Sequence, residues 1–121
     1  MPNWCENKVT VSGEPEQVKK FKEFVSDGKN AFSFNKITPM PPELLNDERW
    51  HDWRNKHWGC KWDTGADEIT VSEYDDDMVE YSFLTPWGPP EMICKKLRET
   101  FPDLHINWFY HEPLMLLVGY L

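Results

Sequence analysis

The chain has 121 residues, 40% of them hydrophobic and 15% aromatic, which suits one domain with a substantial core and argues against disorder. Twenty-one acidic against 13 basic residues leave a net charge of −8, which argues against affinity built on neutralising phosphates and turns attention to proteins or small molecules. Three cysteines without paired spacing, no basic-then-apolar leader and no run of about 20 apolar residues point to free thiols, the cytoplasm of a bacterial host cell and no membrane partner.

Residues 8–12 alternate with Val9 and Val11 on one face, predicting a short strand that Gly13-Glu14-Pro15 ends, with proline in the first turn of a helix. In that helix Val18, Phe21, Phe24 and Val25 recur at helical spacing, and Gly28 supplies the stop. Phe32 and Phe34 alternate with Ser33 and Asn35, so a second strand is expected over about 31–37, ended by Pro39, Pro41 and Pro42. Residues 43–56 read as one or two short helical turns with Trp50, Trp53 and His57 at i, i+3 and i+7. They belong to an insertion at about 38–65 that delivers the hexapeptide Trp58-Gly59-Cys60-Lys61-Trp62-Asp63.

Residues 68–73, with Ile69 and Val71 inward, a polar turn at 74–77 and a return over 78–84 through Val79, Tyr81 and Phe83 predict a hairpin. Pro89 and Pro90 open a second helix with Ile93, Leu97 and Phe101 at i, i+4 and i+8, and Pro102 closes it. Residues 104–110 alternate through Ile106, Trp108 and Tyr110; after a break at Pro113, Leu116, Val118 and Tyr120 finish a last strand. The order predicts a single α+β domain over 1–121. It is a ferredoxin-like two-layer sandwich, a mainly antiparallel sheet with two helices on one face and a Trp-rich helical insertion.

The hexapeptide, Thr85-Pro86-Trp87-Gly88-Pro89-Pro90 and the opening Pro2-Asn3-Trp4-Cys5-Glu6-Asn7 are expected to converge on one rigid corner. They nominate Trp4, Lys61, Trp62, Asp63, Thr85, Trp87 and Glu112 as lining a binding pocket. The structural alternative is that Trp62 and Trp87 wedge the insertion against the sheet, while Asp63 and Lys61 pair with backbone or with each other. No metal, cofactor or catalytic constellation is implied: His51, His57 and Cys60 lack the spacing of a zinc site, and no GxSxG or Cys/His signature occurs. Asp63 and Glu112 are the carboxylate pair to test for acid/base work. The acidic run Asp75, Asp76, Asp77, with Glu73 and Glu80, is a candidate surface for a basic partner, and also what a solvated hairpin tip looks like. Trp108 and Tyr110 would share a face fit for stacking bases, but the acidic charge and the missing basic-aromatic signature set nucleic acid aside. An edge strand or the 114–117 run would equally serve a homodimer.

Met1-Pro2-Asn3-Trp4-Cys5 followed by Asn7, Ile37-Thr38-Pro39-Met40-Pro41, the hexapeptide, Phe83-Leu84-Thr85-Pro86-Trp87-Gly88-Pro89-Pro90 and Tyr110-His111-Glu112 together resemble the YubB-type ferredoxin-like domain family, carried largely by phages and plasmids. The resemblance spans nearly the whole chain, supports the same fold and implies an accessory protein of a mobile element, with no chemistry established for the family as a whole. The family pattern often has a small residue at the position of Cys60, and a glycine soon after the late glutamate where this chain reads Pro113-Leu114. Cys60 is therefore not expected to carry a family-wide reaction. The expectation is a non-catalytic phage- or plasmid-encoded protein that binds a host bacterial protein, to counter host defence or regulate the host. The alternative is a small-ligand or nucleotide-signal binder that stacks its ligand in a tryptophan-lined pocket, with Lys61 for an anion.

Overall fold

One-sided alternation of apolar residues lays down the sheet. The computed structural model describes residues 3–65 and 68–121, so Met1 and Pro2 of the opening motif lie outside it. Among the described residues there are five strands: β1 (Trp4–Ser12), β2 (Thr70–Asp75), β3 (Met78–Pro86), β4 (His105–Glu112) and β5 (Leu117–Tyr120). They run in the order β2-β3-β1-β4-β5, and every neighbouring pair is antiparallel. Helices α1 (Pro15–Val25) and α4 (Glu91–Thr100) make the two crossovers of a ferredoxin-like α+β fold, to which β5 adds an outer strand. Two shorter helices, α2 (Phe34–Ile37) and α3 (Trp50–His57), lie between α1 and β2.

Val9 and Val11 of β1, Val79, Tyr81 and Phe83 of β3, and Ile106 and Trp108 of β4 point to one face, where they bury Val18, Phe21 and Val25 of α1 and Ile93 and Leu97 of α4. Burial of each such side chain is worth about 1.5–3 kcal/mol, so this layer holds the domain together. Trp108 is therefore a core residue, its Nε1–H donating to Asn7 Oδ1 at 3.0 Å, and does not belong to an exposed stacking face. The opposite face is open, a shallow concavity lined by Lys8, Ser82, Leu84, Phe109 and His111.

One sequence expectation is corrected. Residues 31–37 do not form a strand: Phe34–Ile37 is one helical turn, N-capped by Ser33, whose Oγ accepts from the Lys36 N–H at 3.2 Å. Phe32 and Phe34 are both buried, as the alternation requires, but in a cluster with Phe83 and not on a pleated strand. Ile69 packs against the core, and Val71, opposite Tyr81, points to the same helix-covered face, but on this outer strand it stays 40% exposed. In addition, α1 ends at Val25, before Gly28; that glycine, at φ +95°, sits in a turn whose Asp27 carboxylate accepts the Lys29 and Asn30 N–H groups.

Candidate functional site: an indole–cation ladder at one end of the sheet

The hexapeptide is anchored by Trp58, not by Trp62. Trp58 is 1% exposed, packs edge-on to Phe34 and Trp53, and donates from Nε1 to the Thr38 carbonyl at 2.8 Å. Gly59 follows at φ +90°, and a Cβ there would meet the Glu91 backbone nitrogen at 2.7 Å, so glycine is what lets this loop press onto the first turn of α4. Cys60 turns inward, and the chain then emerges at Lys61 and Trp62.

Along α3, Trp50 and Arg54 stand one turn apart and Trp58 follows one turn later, so one helical edge carries indole, guanidinium and indole. The Arg54 guanidinium carbon lies 4.7 Å from the Trp50 ring centroid and 5.1 Å from that of Trp58. Lys61 Nζ lies 6.0 Å from the Trp50 centroid and 5.2 Å from that of Trp62, and Trp62 stands 6.2 Å from Trp4 at an interplanar angle of 33°. The result is a ladder, Trp58–Arg54–Trp50–Lys61–Trp62–Trp4, in which each cation sits against the negative faces of indoles. Its inner end is buried, while Trp62 and Trp4 at the outer end are 37% and 43% exposed. The Arg54 Nη1–H also donates to the Lys61 carbonyl at 3.5 Å, tying the helix to the loop.

The remaining predicted residues divide between scaffold and surface. Asp63 caps α2: Oδ1 accepts the Phe34 and Thr64 N–H groups at 2.7 Å each, and Oδ2 accepts the Asn35 N–H at 3.0 Å and Ser33 Oγ at 3.3 Å. It thus pairs with backbone, while Lys61 pairs with indoles. Thr85 is buried, accepting from Asn7 Nδ2 at 2.8 Å and donating to the Gly88 carbonyl at 2.6 Å. Glu112 is fully buried, and its carboxylate accepts the Leu114 and Met115 N–H groups of the turn that follows β4. Trp87, at φ +71°, donates its N–H to the Asn3 carbonyl at 2.7 Å and leaves its ring exposed beside the ladder's end of the sheet. The structure therefore brings Trp4, Lys61 and Trp62 together, with Asp63, Thr85 and Glu112 supporting that end. Sequence reasoning marks Trp50 only as part of a helical pattern and does not nominate it or Arg54 for the site; the i, i+4 spacing ahead of Trp58 is the signal that marks them.

Asp63 and Glu112 share no partner, and each carboxylate is committed to backbone donors. Burial pushes the Cys60 thiol up to about 12, with the Asp63 charge adding to it, and the Cys5 thiol up to about 11; burial also raises Cys94. Among the described residues no three His, Cys, Asp or Glu side chains are grouped to hold a metal ion. No described helix is long and apolar enough to cross a membrane.

The acidic candidates lie elsewhere. Glu73 pairs with Lys22 at 3.1 Å, and Glu80 pairs with Lys8 at 3.8 Å while accepting from Thr10 Oγ1 at 3.3 Å. Asp75, Asp76 and Asp77 form the exposed tip between β2 and β3. Trp4 pairs with Pro86 and Ser12 with Met78, so the ladder and the acidic tip sit at opposite ends of β1, roughly 26 Å apart at about 3.3 Å per residue.

Residues 57–121 match the family described as the ferredoxin-like domain in Api92-like protein. No curated protein matches the chain. Among solved structures, the crystal structure of the protein Api92 from Yersinia pseudotuberculosis is similar with a TM-score of 0.76, over 99% of this chain and 93% of that one. The two are 12% identical, so the likeness establishes the fold alone.

Proposed function

This chain belongs to the family of ferredoxin-like domains in Api92-like proteins, and from that premise we propose that it is a non-catalytic, YubB-type accessory protein of a phage or plasmid that binds a protein of its bacterial host. The observation that carries the proposal is the outer end of the ladder, where two neighbouring exposed indoles, Trp62 and Trp4, continue from the Lys61 ammonium on a buried base. Tryptophan and arginine dominate the energetics of protein interfaces, and groups held in place before binding lose little entropy on docking. Asp63 and Glu112 are occupied by backbone donors and the three thiols are buried, which favours recognition over turnover. The binding serves to counter host defence or to regulate the host.

A second reading rests on the same exposed indoles, Trp62 and Trp4, with the Lys61 ammonium beside Trp62. A planar anion such as a nucleotide signal is the matching ligand, at about 1–3 kcal/mol per stacked base.

Affinity purification from the bacterial host, followed by reconstitution with the purified partner, tests the proposal. Trp62→Ala and Lys61→Glu are expected to fold with unchanged circular dichroism and to lose the partner, whereas lysine at Asp75, Asp76 and Asp77 leaves it bound. Retention by both ladder variants, or no partner at all, overturns protein binding at this site. Calorimetry with a nucleotide panel then decides the second reading.

A further inference from the structure

We propose that the β5 edge is the interface between two copies of this chain, joined strand to strand into one continuous ten-stranded sheet. The two outer strands are treated differently. β2 carries Glu73 and Asp75, a bulge between them, and an ion pair from Lys22 to Glu73, all devices that stop an edge from pairing. β5 reads Leu117-Val118-Gly119-Tyr120, pairs with β4 in unbroken register, and presents Val118 and Tyr120 exposed. Residues 113–121 hold no charged side chain in a chain of net charge −8, so two copies meet here without opposing like-charged side chains, whereas self-pairing of β2 would set Glu73 and Asp75 near their own copies.

The turn before β5 points the same way. The buried Glu112 carboxylate fixes it by accepting the Leu114 and Met115 N–H groups. Leu116 then takes φ +55°, a left-handed conformation that favours glycine or asparagine, and leaves its side chain 87% exposed. A turn needed only for chain reversal gains nothing from leucine there. An apolar side chain held in strain and in water is accounted for by contact with another surface. A strand edge meeting its own copy antiparallel about a two-fold axis satisfies the same backbone groups on both sides, which makes a second copy the matching occupant.

Sedimentation velocity of the full chain over a concentration series, with Val118→Lys and Leu116→Gly in parallel, tests this. The expected result is a mass of two chains for the natural sequence and of one chain for Val118→Lys. Leu116→Gly, which relieves the turn, is expected to unfold no earlier than the natural chain and yet to dissociate at lower dilution. Hydrogen exchange of residues 117–120 should be slower in the dimer than in Val118→Lys. A single-chain mass at every concentration, a dimer that survives Val118→Lys, or edge amides unprotected in the dimer overturns the proposal.

Discussion

At the scale of single residues, two indoles four positions apart have opposite roles. Trp58 fills the space between α2 and α3, so Trp58→Ala should cost about 3–5 kcal/mol in urea unfolding, while Trp62→Ala, at a half-exposed site, should stay within about 1 kcal/mol. Equal losses from both would show that Trp62 is a structural wedge after all. The thiols give a pH dependence with a definite sign. Cys5 and Cys60 are raised from 9.0 to about 11 and about 12, so below pH 9 they are protonated in both states and their contribution to stability is whole. As pH rises from 9 towards 12 the unfolded chain gives up protons that the native state retains, and stability falls. The urea midpoint should therefore decline between pH 9 and pH 11, less steeply in Cys60→Ala; a flat profile would mean that these thiols are solvated in the fold.

At the scale of elements, α2 shows how a long-range contact decides a local conformation. Its four residues are too few to hold a helix by propensity, and Asp63, 29 positions beyond Phe34, supplies the acceptor for the first-turn N–H groups. Asp63→Ala should lose about 1–2 kcal/mol by chemical denaturation and Asp63→Asn less, since one acceptor oxygen remains. No loss in either would remove the cap from the account. This dependence is why Phe32-Ser33-Phe34 reads as a strand in the sequence: the alternation is real, and the carboxylate that overrides it is remote. β1, β3, β4, α1 and α4 were legible because each buries one face, which prints its period on the chain. β2 left a fainter print, because an edge strand has little to bury. At the ladder, Trp4, Lys61 and Trp62 stand out by composition, whereas Arg54 does not, since an arginine on a charged helix reads as solvated until the flanking indoles are known to fold back on it.

At the scale of the whole molecule, the sheet sets two kinds of surface at its two ends. One end carries Trp4, Trp62 and Trp87 with the exposed turn at Leu114–Leu116; the other carries Asp75, Asp76 and Asp77. Joining two copies antiparallel through β5 would point their ladders to opposite ends of one plate, so a dimer would hold two targets apart and gain avidity only on an array of them. The indoles also divide by depth: Trp58 and Trp108 are sealed from water, and Trp4, Trp62 and Trp87 are wetted. That division makes the molecule its own optical reporter. Red-shifted light from the outer rings should move to the blue when a partner covers them, while the emission of the sealed pair stays fixed until the domain unfolds, so docking and denaturation can be told apart in an unlabelled sample.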